Sequence, residues 1–291
     1  MIKDFRALIR TTTDNNYRHF FLIYGVSGVG KTTFCSKMEK PIFISIENGA
    51  SHITNIHQYI PDSYDDTISF LQWLKTIDDY SSVIIDSIDR LELLLHKKIC
   101  EKYHVKSIEL AAGGYGKGYI EALTEFNNLL ELLKELRSKK HIALICHAEI
   151  TNFFNPITNT EVHRYSLKLH KKTSAIFKEA VDSILFANFK SKFENEKIIS
   201  ERVIFTEYSI AYDAKNRFSL PIEIPLDFII YNQAVEDYFK SDTIDVSSLL
   251  ELAQQILDEK IREKAVEKIK QIKTKKEFED VKAKIQKIIS K

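Results

Sequence analysis

Gly25-Val26-Ser27-Gly28-Val29-Gly30-Lys31-Thr32 is the stretch that decides the fold of this 291-residue chain. It matches the pattern G-x-x-x-x-G-K-[ST] of the phosphate-binding P-loop. The apolar and aromatic run 20–24 precedes it, as a buried strand would, and residues 32–39 contain no helix breaker. Because a strand, a glycine-rich turn and a helix are the context that the motif requires, the sequence predicts a nucleotide-binding site here.

Different residues of the motif are expected to bind different parts of a nucleoside triphosphate. Glycines let the backbone curl round a phosphate without a Cβ in the way, and backbone N–H groups at the start of the helix then face the anion. Lys31 is expected to reach the β- and γ-phosphates, and the hydroxyl of Thr32 to bind Mg²⁺. We therefore expect ATP and Mg²⁺ as cofactors, with nucleotide contacts from Gly25, Ser27, Gly28, Val29, Gly30, Lys31, Thr32 and Thr33.

Composition limits the partners and the compartment. The formal net charge is +1, so a contact with nucleic acid has to come from a local patch. Cys35, Cys100 and Cys146 are widely spaced and form no C-x-x-C pair, which predicts reduced thiols rather than a disulfide framework or a zinc site. No apolar run has the length of a membrane span or a signal peptide, so we expect a soluble, cytoplasmic protein with no membrane partner.

Two further apolar runs lead to acidic residues. The run 42–46 is followed by Glu47; because ligands of doubly wound sheets sit outside the carboxyl ends of the strands, Glu47 is a candidate catalytic base, with a solvated loop residue as the alternative. A β-branched run ends in Asp86, which is typical of a Walker B strand and predicts a carboxylate that supports Mg²⁺. Asp89 is the other candidate for that role, although a helix cap explains it better.

Three later residues carry groups that suit a γ-phosphate. His147 follows the apolar run 142–146 and is a candidate sensor of that phosphate, with an ordinary strand-end histidine as the alternative. Lys215 and Arg217 lie just past the predicted strand 202–208. They are candidate fingers that reach the γ-phosphate of a neighbouring subunit, and a solvated turn is the alternative.

Two segments are candidate surfaces for single-stranded DNA. Segment 113–119 contains four of the eight glycines together with a lysine and two tyrosines, which predicts a flexible loop that approaches the sugar-phosphate backbone and stacks on bases. A mobile linker is the alternative. Segment 151–172 reads as an exposed β-hairpin with a basic return arm, and solvated charge is its alternative. The residues of that arm are His163, Arg164, Lys168, His170, Lys171 and Lys172.

The pattern divides the chain into a lead-in over 1–17, a core over 18–241 and a tail over 242–291. The tail is rich in Lys, Glu, Ile and Leu at helical spacing and predicts two or three amphipathic helices. Residues 260–291 hold twelve Lys or Arg and five Asp or Glu. This basic tail is a second DNA candidate or an arm for a partner protein, although a solvated helix surface is the commoner explanation.

In the second half of the core we predict strands over 181–188 and 202–208. The polar residues 190–197 are expected to form a loop between them, and residues 226–230 to close the sheet or to pack beside it.

Taken together, these motifs resemble the phage-type RecA-like P-loop ATPases, an AAA-domain group that includes the Sak-type single-strand annealing and recombination proteins. The resemblance covers about residues 18–232 and is most specific at 113–119 and 215–218. It implies an α/β fold, in which a RecA-like P-loop NTPase core has a mostly parallel central sheet flanked by helices. To this core the chain adds a C-terminal helical extension. It also implies a homo-oligomer, either a ring or a filament.

The resemblance further implies a role for each candidate residue. Lys31 and Thr32 would bind nucleotide and Mg²⁺, Glu47 would polarise the attacking water, and Asp86 would support the metal ion. His147 would sense the γ-phosphate at the mouth of a DNA-binding segment.

Lys215 and Arg217 would act in trans across a subunit interface. We therefore expect an oligomeric, DNA-stimulated ATPase that acts on single-stranded DNA in phage recombination, repair or replication, in the host cytoplasm. One alternative is a nucleotide-gated DNA-binding or annealing protein with negligible turnover, and another is a monomeric small-molecule P-loop kinase.

Overall fold

A computed structural model of the chain describes residues 17–47, 53–54, 56–156, 158–194, 197–242, 247–270 and 275–289. The predicted lead-in lies outside these residues except for Tyr17. The chain divides into two compact units, one over Asn16–Gln233 and another that includes Ala234–Lys291.

The first unit contains a central β-sheet that is mostly parallel. Its described strands are β1 Phe20–Gly25, β2 Pro41–Ser45, β3 His57–Tyr59, β4 Ser82–Asp86, β5 His141–Asn155, β6 Thr160–Leu167, β7 Ser183–Glu194, β8 Lys197–Phe205 and β9 Glu223–Pro225. They are ordered β3-β2-β4-β5-β1-β7-β8-β9, and β6 pairs with the far half of β5. The strands from β3 to β7 along this order are parallel, whereas β8 and β9 add antiparallel pairs at one side.

Helices cover both faces of this sheet, which explains why its central strands are continuous apolar runs rather than alternating ones. The helices of the described chain, with α7 to α9 belonging to the second unit and not to this sheet, are α1 Lys31–Ser36, α2 Tyr64–Leu74, α3 Ile88–Lys102, α4 Lys117–Arg137, α5 Lys171–Ala180, α6 Phe228–Asp242, α7 Ser247–Gln254, α8 Glu259–Ile269 and α9 Lys275–Ile289, and a 3-10 helix covers Ile108–Gly113. On one face, Leu22 belongs to a core shared with α2 to α5. On the other, the ring of Phe21 contacts Phe34, Phe228 and Tyr231 from α1 and α6. The predicted α/β fold with a mostly parallel, helix-flanked sheet is confirmed.

Strand register brings the predicted functional positions to one edge of the sheet. Gly25 is paired with His147 across β1 and β5. Ser45, two residues before Glu47, is paired with Asp86 across β2 and β4. Since these strands are parallel, their carboxyl ends form a single edge, and the motif residues meet there.

Two predicted elements of the core differ in the structure. The helix after the P-loop ends at Ser36, before the expected residue 39. Most of residues 190–197 do not form the predicted loop: residues 190–194 belong to β7, residue 197 begins β8, and the two strands pair antiparallel. Polar residues are compatible with paired strands, because the hydrogen bonds between strands join backbone groups and do not depend on the type of side chain. Of the two alternatives for residues 226–230, packing beside the sheet is the one observed: β9 ends at Pro225, α6 begins at Phe228, and the ring of Phe228 lies against Phe21 of β1.

The glycine-rich segment 113–119 is a packed turn rather than an open loop. It follows the 3-10 helix and enters α4 at Lys117. Gly118 is buried in the first turn of α4, and a Cβ at this position would lie 2.2 Å from the carbonyl oxygen of Ile108. The expectation of a flexible loop is therefore wrong for its second half, because close packing of backbone on backbone requires this glycine.

The second unit has its own small hydrophobic core, and the predicted helical extension is confirmed. Helices α7, α8 and α9 bury apolar side chains against one another, namely Leu249, Ala253, Ile256, Ile269, Val281 and Ile285. Among the described residues, no helix is both long enough and apolar enough to cross a lipid bilayer.

Candidate nucleotide-binding site

The P-loop lies between the end of β1 and the start of α1, as the motif requires. Gly25 is needed because β7 approaches closely: a Cβ there would lie 1.9 Å from the carbonyl oxygen of Ala187. Gly30 precedes α1 with φ of 111°, a backbone conformation that residues with a side chain rarely adopt. Val29 is fully buried in the structure, whereas Ser27, Gly28 and Thr33 are exposed.

Lys31 is buried with its ammonium group at the turn. Its Nζ donates hydrogen bonds to the carbonyl oxygens of Gly25 at 3.0 Å and Val26 at 3.1 Å. Burial lowers the pKa of Lys31, and the charge of Asp86 opposes this change. A buried cation that donates to neutral carbonyl groups is a fitting partner for a phosphate anion, since charge pairing is stronger away from water.

Thr32 and Asp86 form the candidate Mg²⁺ site. The hydroxyl of Thr32 donates a hydrogen bond to Oδ2 of Asp86 at 2.8 Å. Asp86 is only 3% exposed, and burial raises its pKa to about 6 although the bond from Thr32 opposes this. Hydroxyl and carboxylate oxygens are ligands that suit Mg²⁺, and a divalent cation would favour the ionised carboxylate. The residues present therefore fit a magnesium nucleotide.

Glu47 lies among polar groups at the same edge. Its Oε2 accepts a hydrogen bond from Nε of Arg90 at 3.1 Å, and its Oε1 accepts one from the hydroxyl of Ser87 at 3.4 Å. Nε2 of His147 lies 3.3 Å from Oε1. The structure thus brings the candidate base and the candidate sensor into contact, and three groups orient the Glu47 carboxylate.

Asp89 holds His147, which corrects the expectation that Asp89 caps α3. Ser87 occupies the N-cap position and Asp89 lies in the first turn of the helix. Oδ1 of Asp89 accepts a hydrogen bond from the backbone N–H of His147 at 3.1 Å, and Oδ2 lies 3.0 Å from Nδ1 of the ring. The bond to Asp89 raises the pKa of His147, although burial acts in the opposite direction. Sequence reasoning missed this contact because its only local signal was an acidic residue soon after Asp86.

Lys215 and Arg217 lie at the opposite edge of the sheet from their own P-loop. Lys215 is bridged to Ile184 near the start of β7, and its Nζ donates to the carbonyl oxygens of Lys178 and Glu179 at the end of α5. A guanidinium nitrogen of Arg217 donates to Oδ1 of Asp182 at 3.1 Å, and the Arg217 side chain is 58% exposed. The two residues do not meet Lys31 of the same chain, and their action in trans stays a prediction.

The two candidate DNA segments meet at one aromatic pair. The rings of Tyr119 and His170 stack with centroids 4.2 Å apart and planes 9° apart. Tyr115 is fully exposed. DNA contact by either segment stays a prediction, and Ile157 of the hairpin lies outside the described residues.

Arg164 is an exception within the predicted basic arm. It is buried, donates to Asp213 at 2.6 Å, and lies against the rings of Phe153 and Tyr208. This residue is part of the hairpin's packing and is no longer a candidate for phosphate contact.

A known protein family matches most of this chain. Residues 18–218 match the family described as AAA domain. A SPbeta prophage-derived uncharacterized protein, YorG, of Bacillus subtilis strain 168 is 30% identical over 117 residues, which are 37% of this chain and 36% of that protein. The chain thus matches little more than a third of the length of that relative.

A KaiC-like protein from the archaeon Pyrococcus horikoshii OT3 is similar in structure with a TM-score of 0.36 and 14% identity, over 70% of this chain and 84% of that one. A score this low carries no argument. The family match extends over well more than half of the chain and includes the P-loop, Asp86 and His147. The chain therefore belongs to the AAA domain family, and the part that matches contains the P-loop.

Proposed function

We propose that this protein is an oligomeric ATPase that hydrolyses ATP with Mg²⁺ and acts on single-stranded DNA in phage recombination, repair or replication. One observation carries the proposal. We call the edge of the sheet that carries Lys31, Asp86 and His147 the nucleotide edge. Strand β5 pairs with β1 and β4 up to this edge and continues without a break into the hairpin that it forms with β6. His147 lies at the junction, so a change at the nucleotide has a direct covalent and hydrogen-bonded route to the hairpin.

The nucleotide edge supplies the groups that ATP hydrolysis needs. Lys31 neutralises phosphate charge, and Thr32 with Asp86 holds Mg²⁺, which screens the charge on the phosphate oxygens. Glu47 lies at the same edge, where its carboxylate can orient the attacking water. His147 is within contact distance of Glu47 and supplies a donor toward the γ-phosphate.

The exposed face of the hairpin suits single-stranded DNA. Ile150 is 63% exposed and Phe154 is 54% exposed, on the same face as Asn152. The ring of Phe154 is a platform on which a base can stack, and stacking of this kind tolerates any sequence; Ile150 adds apolar surface beside it. The base of the hairpin adds exposed cations for the phosphates, namely Lys168, Lys171 and Lys172.

The position of the finger residues supports an oligomer. Lys215 and Arg217 lie at the far edge of the sheet from Lys31, so they can serve a nucleotide only in another subunit. An active site shared between subunits needs an assembly, and hydrolysis would then rise more steeply than in proportion to protein concentration.

ATP hydrolysis, measured with and without single-stranded DNA at two protein concentrations, tests this function. We expect DNA to stimulate hydrolysis and specific activity to rise with protein concentration. Lys31→Ala is expected to abolish turnover. Lys37→Ala is the matched control, because Lys37 lies at the end of the same helix and pairs with Asp227 on the surface at 2.6 Å.

Two other outcomes would replace the proposal. ATP-dependent DNA binding without hydrolysis would indicate a nucleotide-gated annealing protein. The contacts of Glu47 with Arg90 and His147 are the observation that favours this second candidate, because they occupy the candidate base. A flat, DNA-independent rate from a monomer would indicate a small-molecule kinase.

A further inference from the structure

Both ends of the hairpin are held by carboxylates from one helix. The backbone N–H of His147, where β5 leaves the core, donates to Asp89 at 3.1 Å. The backbone N–H of His170, just after β6, donates to Oε2 of Glu92 at 2.9 Å. Asp89 and Glu92 are three residues apart in α3 and therefore share a face of it.

Both carboxylates are buried, which is costly unless their charge is compensated. Asp89 and Glu92 are each 5% exposed. A buried carboxylate is unfavourable if it lacks hydrogen-bond donors, so the N–H groups at the ends of the hairpin help to stabilise Asp89 and Glu92 in these positions. Because α3 follows directly on β4 and Asp86, the two carboxylates connect the hairpin to the strand end that would hold Mg²⁺.

The two carboxylates differ in what they contact. Asp89 also lies 3.0 Å from Nδ1 of His147, whose opposite nitrogen, Nε2, lies 3.3 Å from Glu47. Asp89 therefore fixes both the backbone and the ring of His147, with Nε2 directed to the nucleotide edge. The contact of Glu92 is to the backbone of His170, whose ring is stacked on Tyr119. Asp89 is therefore connected to the nucleotide site through the ring of His147, whereas Glu92 holds the backbone at the other end of the hairpin.

We infer that Asp89 and Glu92 form a two-point clamp on the hairpin, in which Glu92 is a fixed anchor and Asp89, through His147, makes the hairpin respond to nucleotide. The inference rests on the proposed function in that it needs ATP at the P-loop. A γ-phosphate competes with Glu47 for Nε2 of His147, and any shift of the ring is passed to β5 because Asp89 holds ring and backbone together. The charged groups that face this ring are Asp89, Glu47 and Lys31.

Hydrogen exchange of the hairpin amides tests the clamp in the full chain. It is measured without nucleotide and with Mg²⁺ and a non-hydrolysable ATP analogue, whose binding is measured separately by calorimetry. Glu92→Ala removes the anchor, and we expect exchange in the hairpin to rise about tenfold in both states, as for the loss of one charge-assisted hydrogen bond. The nucleotide-dependent difference in exchange should remain.

Asp89→Ala is expected to abolish that nucleotide-dependent difference while the analogue still binds. Asp89→Asn keeps an acceptor for the backbone N–H but lacks the charge, so it should preserve hairpin protection and lower the pKa of His147 toward its usual value in an NMR titration. Glu92→Ala should leave that pKa unchanged. Glu101→Gln, an exposed carboxylate on the same helix, is the control.

The outcomes separate the clamp from the proposed function. If the unaltered protein binds no ATP analogue, the proposed function fails and nucleotide control of the hairpin fails with it. If it binds the analogue but Asp89→Ala still shows the nucleotide-dependent difference, the role of Asp89 is refuted while the proposed function stands. Unchanged hairpin exchange in folded Glu92→Ala protein would refute the anchor without any reference to nucleotide.

Discussion

Nε of Arg90 lies 3.1 Å from Oε2 of Glu47, so the carboxylate expected to orient the attacking water is paired with a cation from α3. The side chains are 44% and 26% exposed, respectively. A partly exposed pair of this kind contributes up to about 1 kcal/mol. The ion pair with Arg90 therefore restrains the Glu47 carboxylate but is weak enough to break.

We expect Arg90→Ala to raise ATP hydrolysis in the absence of DNA by up to about fivefold, the rate equivalent of about 1 kcal/mol. The reason is that the freed carboxylate reaches the water more often. Steady-state rates with and without DNA measure the effect, and the DNA-stimulated maximum should change little. Arg90→Lys, which keeps a cation, is the control. A fall in turnover with intact ATP binding would mean that Arg90 itself serves the reaction.

The second prediction concerns the finger residues. Arg217 is exposed and tethered to Asp182, at the edge of the sheet opposite to the P-loop. If it acts in trans, Arg217→Ala should lose hydrolysis by about a thousandfold, in the range known for arginine fingers, and still bind ATP. Lys31→Ala should lose hydrolysis as well.

Mixing these two inactive proteins is the decisive measurement. In a mixed oligomer, some interfaces join an intact P-loop to an intact Arg217, so part of the activity should return. No recovery in mixtures that are shown to co-assemble would place Arg217 outside a shared site. Lys178→Ala is a useful control, because Lys178 pairs with Asp213 rather than facing outward beside Arg217.

The nucleotide edge was predictable because its signals are local. A contiguous motif defined the P-loop, and apolar runs that end in polar residues defined Asp86 and His147. Parallel pairing then brings such strand ends together without further information. The structure confirms the fold and places Glu47 beside His147, as the shared edge implies.

Contacts between distant segments could not be predicted in the same way. Asp89 and His147 are 58 residues apart, and no pattern in either segment names the other. Arg164 looked like surface charge, but Asp213 and two aromatic rings from separate segments enclose it. In both cases the role of the side chain depends on which distant segment packs against it. The neighbouring residues in the sequence do not show which segment that is.

The third prediction is a loss of stability in acid caused by His141. Its Nδ1 accepts a hydrogen bond from the backbone N–H of His19 at 3.0 Å, so protonation of that nitrogen breaks the bond. Burial, assisted by the nearby charges of His19, Arg18 and Arg137, lowers the pKa of His141 to about 3. Because the unfolded chain takes up this proton near pH 6.5, the stabilisation is complete above pH 6.5 and is lost as pH falls toward 3.

His141→Asn keeps an acceptor that does not titrate, so it should move the midpoint of acid unfolding to lower pH. One proton contributes at most about 1.4 kcal/mol per pH unit to the slope. Urea unfolding at a series of pH values measures this slope. His163→Asn, at an exposed position of the hairpin, should leave it unchanged. An identical slope in the His141→Asn protein would show that His141 is not the group responsible.

The last prediction concerns the glycine-rich turn, where two glycines should respond differently to alanine. At Gly118, a Cβ would lie 2.2 Å from the carbonyl oxygen of Ile108 and 2.9 Å from Cβ of Ala111, so Gly118→Ala should lower the free energy of unfolding by about 3 kcal/mol. At Gly113 nothing lies within 4 Å and only the φ of 88° opposes a side chain, so Gly113→Ala should cost about 1 kcal/mol. Urea unfolding of both proteins tests the difference. Alanine is favoured over glycine in a helix by about 1 kcal/mol, so a loose first turn of α4 would make Gly118→Ala stabilising. The sign of this one change therefore decides between a packed turn and an open loop.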